Sequence, residues 1–472
     1  MRELEVRYAE SLVVIGVHSA KFPAERVTEA VAQAVRRHNI RHPVVNDHEF
    51  SIWQAYACRA WPTLMFVDPH GNVIGKHEGE FEAATIARAV DQMLAEFDAS
   101  GSLKRGVTNF GTTGSPGLPA PEKAGPLAFP GKVTLDTRGR GHIYISDSNH
   151  HRLVIMGLQL MDGAVHHIVG DGQPGLVDGP PEQARFNWPQ GIAIDPRTGV
   201  VYIADTENHA IRRMSPAGGE ITTIAGTGKQ ARSVGVGGNA LETALSSPWD
   251  LVFVPDPDAD PPIEAGSHVD PHDDAGLLYV AMAGTHQIWA MDVAAGTIVP
   301  FAGTGREALV DGNRDQACFA QPSGLSLDGE RQTLYVADSE TSAVRTIDLA
   351  SGNVSTLVGA GLFEFGDVDG QFEIARLQHP LAVAFWGDDP DGASVLVADS
   401  YNHRIKKLDL AKREVRSFVG DRREPAFSEP GGLALGRGIL AVGDTNNHRV
   451  QILDLATRSI TTLEIDESRH AH

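Results

Sequence analysis

Cysteine is almost missing from this chain: its 472 residues include only Cys58 and Cys318. Two thiols cannot build a disulfide scaffold or a tetrathiolate zinc site, and such sparse use fits a reducing compartment. Long apolar runs are missing too. None approaches the roughly 18 residues of a membrane-spanning helix. The opening MRELEVRYAE lacks the charged-then-apolar order of a secretion signal. Basic residues are in deficit, with 40 Lys+Arg against 61 Asp+Glu and a formal charge of −21. Phosphate backbones are held by clustered Lys and Arg, so a nucleic-acid surface is not expected, although a local basic patch is not excluded. No glycine-rich loop joins a strand to a helix, and no Gly-x-Ser-x-Gly elbow is present. Helical periodicity is lacking over more than 300 residues after the first hundred.

What is present points to strands and turns. Apolar residues make up 42% of the chain, enough for a real core, and there are 50 glycines and 27 prolines. Composition divides the chain into residues 1–98, a Gly/Pro/Ser/Thr-rich linker at 99–126, a repeating region at 127–466 and a short tail at 467–472.

The first segment reads β-α-β-β-α. Leu12 to Val17 is a short apolar run expected to be a buried strand. Pro23 opens a helix whose apolar positions Val27, Val31, Ala34 and Val35 recur at helical spacing. Thr63 to Asp68 is a second strand, and Pro69-His70-Gly71-Asn72 turns it into a hairpin. Ile86, Val90, Met93, Leu94 and Phe97 mark one face of a closing helix.

The remainder repeats. Pro130, Pro189, Pro248, Pro322, Pro380 and Pro430 each precede an apolar strand, at spacings of 59, 59, 74, 58 and 50 residues. A second and a third strand follow each time, and a fourth ends most units. Four strands per unit, six units and no helices predict a six-bladed β-propeller, a mainly β fold.

Each second strand tends to end in Asp, with His four residues later: Asp147/His151, Asp205/His209, Asp399/His403 and Asp444/His448. Arg152, Arg404 and Arg449 follow three of these histidines directly. Asp and Asn close tight turns by accepting backbone N–H groups, so six identical turns explain the pattern more simply than six active sites. The alternative is that some of these groups converge on the channel and bind a ligand. Two units break the pattern. Met282 replaces the Asp of unit three, and Asp338 of unit four is followed by Ser342 instead of His. Asp178-Gly179, Asp311-Gly312 and Asp369-Gly370 recur between units, each followed by an apolar anchor, Phe186, Phe319 or Leu377. This face carries most of the recurring polar groups and is the expected binding face.

These units resemble NHL repeats. The carriers are Asp399-Ser400-Tyr401-Asn402-His403-Arg404-Ile405 and Asp444-Thr445-Asn446-Asn447-His448-Arg449-Val450. The first segment resembles a thioredoxin-like domain, on Trp61-Pro62-Thr63 ahead of a strand and on the hairpin that follows. The combined order resembles the NHL-repeat-containing protein 2 family. That resemblance implies a cis proline at Pro62 facing a redox motif. It also implies an opening strand and a Cys-x-x-Cys helix, both of which are expected to be missing here, and a further β-rich region after the propeller, likewise missing. Cys58 lies four residues before Pro62 in a core-like context and does not replace the motif.

Three readings follow. The leading one is a non-catalytic binding and scaffold protein with a redox-inactive thioredoxin-like domain and a protein or peptide partner. Its contact candidates are Trp61, Pro62, Asp147, Arg152, Asp205, Asp338, Asp399, Arg404, Asp444 and Arg449. The second is a thiol–disulfide oxidoreductase, which requires Cys-x-x-Cys upstream of Met1. The third is a metal-dependent lyase or hydrolase using the channel, although inner strands such as GIAID and GLSLD offer mostly apolar and glycine positions. The acidic insertion Val254–Leu277 contains His268, Asp270, His272 and Asp273, a weak metal candidate set against a solvated loop. No cofactor is implied, no membrane is expected, and the expected location is the cytoplasm.

Overall fold

The structure is a computed structural model. It describes residues 1–79, 81, 83–106, 125–136, 138, 141–158, 164–216, 218–256, 275–330, 332–420 and 425–470. Two compact units divide the chain, Met1–Glu122 and Lys123–His472.

The first unit runs α1 (Arg2–Arg7), β1 (Gly16–His18), α2 (Thr28–Arg37), β2 (Val44–Asn46), α3 (Ser51–Ala55), β3 (Thr63–Val67), β4 (Val73–Glu78) and α4 (Ala83–Ala99). β1 and β2 pair in parallel, and β3 and β4 pair as an antiparallel hairpin. The core joins α1 to α4: Leu4 and Tyr8 pack on Ile86, Ala87 and Val90, and Tyr8 Oη donates to Ala87 O at 3.0 Å. Val31 of α2 is buried as the periodicity predicts, but Val27 precedes that helix in extended backbone and is exposed. The expected buried strand Leu12–Val17 shrinks to β1, and Val13, Ile15 and Val17 are 42%, 56% and 43% exposed. Among the described residues β1 has one strand neighbour, β2, so apolar composition alone does not bury it.

The second unit is a six-bladed propeller. Blade 1 comprises Val133–Asp136, His142–Asp147, Arg152–Gly157 and Ala164–Val169; blade 2 comprises Pro189–Ile194, Val201–Asp205, Ala210–Met214 and Ile221–Ala225. Blade 3 comprises Pro248–Pro255, Gly276–Met282, Gln287–Asp292 and Thr297–Ala302; blade 4 comprises Pro322–Leu327, Thr333–Asp338, Ala343–Asp348 and Asn353–Val358. Blade 5 comprises Ala382–Trp386, Ser394–Asp399, Arg404–Asp409 and Glu414–Val419; blade 6 comprises Pro430–Gly436, Ile439–Asp444, Arg449–Asp454 and Ile460–Thr462. Each blade is an antiparallel meander, and the first strands touch their neighbours around a closed ring. An apolar cluster fills every seam between neighbouring blades; Tyr202 of blade 2 stacks on Phe253 of blade 3 at 5.2 Å. Both faces of a blade are therefore buried, which is why these strands read as nearly continuous apolar runs.

Two edge features were not read from the repeats. Gly312–Asn313 and Gly370–Gln371 add a short fifth strand outside blades 4 and 5, and Gly238–Asn239 does the same for blade 3. Asp466–His470, expected largely as tail, forms a strand parallel to Ala164–Val169 on the outer edge of blade 1. Its polar composition carries no strand signal, because it docks through edge hydrogen bonding and the ion pair of Glu467 with Arg152 at 2.6 Å.

Candidate functional site

Each blade passes from its second to its third strand through a tight turn, and these turns share one face. In five blades the turn begins with the recurring aspartate. One carboxylate oxygen accepts the N–H two residues before the blade's own proline: Asp147 from Ala128, Asp205 from Asn187, Asp338 from Ala320 and Asp399 from Gln378, each at 2.7 Å, and Asp444 from Ser428 at 2.6 Å. The other oxygen accepts from the turn, for example from Asn208 Nδ2 at 2.8 Å and Asn402 Nδ2 at 2.7 Å. All five aspartates are 0% exposed. In blade 3, Met282 Sδ accepts the equivalent N–H, that of Ser246, at 3.4 Å. The substitution therefore keeps an acceptor while losing the charge.

The histidines link one blade to the next. His151, His209, His286, His403 and His448 each accept, through Nδ1 at 3.1–3.2 Å, the N–H of the residue preceding the next blade's proline. Ser342 Oγ accepts in the same place from His379 N–H at 3.2 Å. The accepting residue and the donor before proline both have φ between +48° and +58°, a left-handed geometry in which ordinary residues persist only when held. A hydroxyl completes the clamp by donating to the proline carbonyl: Ser148 to Pro189, Thr206 to Pro248, Ser339 to Pro380, Ser400 to Pro430 and Thr445 to Pro130, at 2.7–2.8 Å. Blade 3 carries Ala283 at this position and has no hydroxyl to donate. An accepting Nδ1 requires neutral imidazole, and burial holds His151, His209 and His403 below the ordinary histidine pKa.

Cationic spokes tie the turns to the blade rims. Arg212 Nη1 bonds Asp205 at 2.8 Å, and its Nη2 bonds Asp178 at 2.7 Å. Arg345 joins Asp338 to Asp311 in the same way, at 3.3 and 2.9 Å. Lys406 of blade 5 reaches Asp367 and Asp369 at 2.7 and 2.5 Å. The three cations are fully buried. Asp178, Asp311 and Asp369 also accept the N–H of Thr223, Thr356 and Ser417 on the outer strands. The Asp-Gly elements thus fasten the rim of the blade they precede. Burial pushes Asp205 and Asp338 up to about 6 and Asp399 up to about 7, against the pull of the neighbouring cations.

The axis is closed by a pair that the apolar inner strands did not announce. Lys132 Nζ crosses from blade 1 to Ser323 O at 2.7 Å, Leu381 O at 2.5 Å and Asp250 at 3.2 Å. The carboxylate of Asp250 also accepts Leu325 N–H at 2.9 Å. Glycine permits this closeness: a Cβ on Gly191 would lie 2.5 Å from Asp250 Cα. Burial lowers the Lys132 pKa, with Asp250 pulling it back up.

Within the propeller the contact candidates do not converge. The five aspartates lie on five blades and each serves its own turn. Arg152 bonds Asp147 and Glu467, Arg404 is buried beside Asp367, and Arg449, with its side chain 39% exposed, bonds Asp444. Trp61 and Pro62 belong to the first unit, where the Trp61–Pro62 bond is cis. Trp61 is 47% exposed, donates to Ser19 O at 2.8 Å and lies 4.4 Å from the Trp53 ring. His268, Asp270, His272 and Asp273 lie outside the described residues. Among the described residues no group of three or more His, Cys, Asp or Glu is placed to hold a metal ion. Sequence reasoning missed Lys132 and Asp250. Counting from each proline would have exposed both, because the second position after it is glycine in blades 2, 4 and 6, at Gly191, Gly324 and Gly432.

Comparison with known proteins places these features. The NHL repeat model matches residues 186–214 and 427–453. NHL repeat-containing protein 2 of Gallus gallus is 38% identical over 473 residues, covering 92% of this chain and 60% of that protein. The Homo sapiens protein of the same name is 37% identical, with 92% and 61% covered. Protein SUPPRESSOR OF QUENCHING 1, chloroplastic, of Arabidopsis thaliana is 36% identical over 451 residues, with 92% and 40% covered. The chain thus spans less than two thirds of the length of these relatives. No helix among the described residues is long and apolar enough to cross a membrane.

Proposed function

As this chain is an NHL-repeat propeller similar to NHL repeat-containing protein 2 over nine-tenths of its length, we propose that it is a binding and scaffold protein whose working surface is the turn face. One observation carries this reading. The residues repeated from blade to blade are consumed inside the fold, whereas the middle turn residue varies among Asn, Glu, Gly and Tyr, and only in blade 6, as Asn446, is it buried. It is Asn149, Glu207, Gly284, Glu340 or Tyr401 in the first five blades, all at least partly exposed. A rigid frame displaying differing side chains suits recognition of a protein or peptide. The charged pair at the axis neutralises itself, which favours binding over metal-assisted chemistry in the channel.

The first unit, on this reading, is a thioredoxin-like domain that offers Trp61 and Pro62 as a second contact surface without redox chemistry. Burial raises the Cys58 thiol, the opposite of an activated nucleophile. Two unpaired cysteines suit a reducing, cytoplasmic setting. The contribution of Arg152, Arg404 and the five aspartates is to hold the face rather than to touch the partner.

Photo-crosslinking in the source cell tests the reading. A photoreactive residue at Glu207 or Tyr401 is expected to capture a discrete partner that one at Glu330 or Asp388, on the opposite rim, does not. Equal capture from both faces, or capture from the opposite rim alone, would overturn it.

A further inference from the structure

We propose that blade 1 carries a metal site in which His142 and His166 together bind one divalent ion of the zinc or copper class. The site lies at the end of the blade remote from the turn face and does not depend on the reading given for that face. The two rings approach with centroids 5.3 Å apart and planes at 78°. Two imidazoles sharing an ion at about 2.1 Å in a tetrahedral array have centroids roughly 5 Å apart, so this spacing suits a ligand pair. The second side-chain torsion of histidine is broad, which lets modest ring rotations bring one nitrogen of each ring to a common point.

The blade is built to bring these rings together. Asp136, His142 and Gly157 are cross-strand partners on its first, second and third strands. A Cβ on Gly157 would lie 2.9 Å from His166 Nε2, so the bare glycine lets the His166 ring reach over the third strand towards the second. A bulge aims it there. Ile155 pairs with His167 and Met156 with Val165, which leaves His166 as the extra residue. In blades 2 to 5 the corresponding bulge falls at the turn-face end, as between Ile211 and Arg212 or Val344 and Arg345. Blade 1 has it at the far end, occupied by a histidine. His142 is equally particular to this blade: five residues before the turn, the sister strands carry Val200, Leu277, Thr333, Ser394 and Ile439. The fold therefore does not require histidine at this position.

The ring nitrogens are available to an ion. Both histidines are only partly buried, and among the described residues neither ring makes a hydrogen bond. The turn histidines, by contrast, spend Nδ1 on a backbone N–H. His167 is directed elsewhere, since a Cβ on Gly218 would lie 2.9 Å from its ring. Arg138 engages both carboxylate oxygens of Asp136, which therefore stands beside the pair without being offered as a ligand. Imidazole nitrogen selects zinc or copper over magnesium and calcium, which take oxygen. Two protein ligands leave positions for water or for a group supplied by a bound partner.

The test uses the full chain, stripped with chelator and desalted. Zinc chloride is titrated in by calorimetry, and copper(II) is added to a second sample for electron paramagnetic resonance. Zinc is expected to bind in the micromolar range without competition from magnesium, and the copper signal is expected to show two nitrogen ligands. His142→Gln and His166→Gln should each weaken zinc at least about tenfold, as should Gly157→Val, which drives the His166 ring aside. His167→Gln should leave the affinity within about twofold, because that ring faces away. Urea midpoints in chelator show that each variant is folded. Three results would each overturn the proposal: no zinc binding at millimolar concentration, binding that survives His142→Gln combined with His166→Gln, or equal weakening by His167→Gln. Should the variants fail to fold, a copper signal from the unaltered chain with fewer than two nitrogen ligands would overturn it by itself.

Discussion

His448 accepts the backbone N–H of Phe129 through Nδ1 at 3.1 Å, although the two residues stand 319 positions apart. Together with Thr445 Oγ1 donating to Pro130 O at 2.8 Å, it closes the ring between blades 6 and 1. Losing an acceptor opposite a sheltered amide costs about 1–3 kcal/mol. His448→Ala should lower stability by that amount in urea denaturation, and adding Thr445→Val should lower it further. A wild-type midpoint in both variants would show that the seam is held by apolar packing alone.

The same latch should respond to pH. His403 accepts from Glu429 N–H, and burial holds its pKa below the ordinary value near 6.5. A depressed histidine contributes stability that is complete above the unfolded value and fades as pH falls below it. The penalty of His403→Ala should therefore be full at pH 7.5 and shrink towards pH 5. Asp399, pushed up to about 7, contributes in the opposite sense but is common to both proteins, so the difference isolates the histidine. A penalty that grows on acidification would contradict the neutral latch.

Blade 3 invites a gain. Ala283 occupies the place where five other blades carry a hydroxyl clamped to the next proline carbonyl. Ala283→Ser should supply the missing donor to Pro322 O and raise stability by about 0.5–1.5 kcal/mol, the net value of one such bond. Thermal and urea midpoints below wild type would mean that the seam between blades 3 and 4 cannot accept the oxygen.

At the axis, Lys132→Met strands the buried carboxylate of Asp250. Breaking a buried pair from one side costs about 3–5 kcal/mol, whereas removing both charges is far milder. Lys132→Met should destabilise more than Lys132→Met combined with Asp250→Leu. A double-mutant cycle showing simple additivity would mean that the two groups do not depend on each other.

The spokes carry their own control. Lys406 does in blade 5 what Arg212 does in blade 2, bonding an Asp of the Asp-Gly element. Arg212→Lys should therefore cost at least about 1 kcal/mol less than Arg212→Ala, which leaves Asp205 and Asp178 without a shared cation. Equal losses would indicate that only guanidinium reaches both carboxylates.

The blade count was legible because a proline, an apolar strand and an Asp–His turn recur together, and local turn chemistry forces that order. The Asp-Gly elements were legible as a recurring unit but not as rim fasteners, since their partners Arg212 and Thr223 lie 34 and 45 residues away. The first segment was harder. The run Leu12–Val17 has strand composition, yet burial depends on which neighbours flank a strand, and β1 pairs only with β2 among the described residues. The candidate site read from repeated residues fared as repetition allows: identical groups mark what each blade needs for itself. Lys132 and Asp250, where blades 2, 4 and 6 carry glycine, mark instead what the ring as a whole needs.

By itself the sequence determined the architecture, because strand period, turn residues and spacing are local properties written six times over. It also determined the sign of the surface and the scarcity of thiols. Only the tertiary structure decided which side chains meet. Closing the ring sets blade 1 beside blade 6, so Phe129 finds His448 and the Asp466–His470 strand finds Ala164–Val169. It also lets Lys132 reach Asp250 across the axis. Such pairings follow from ring closure, a condition on the whole chain that no short window of sequence contains.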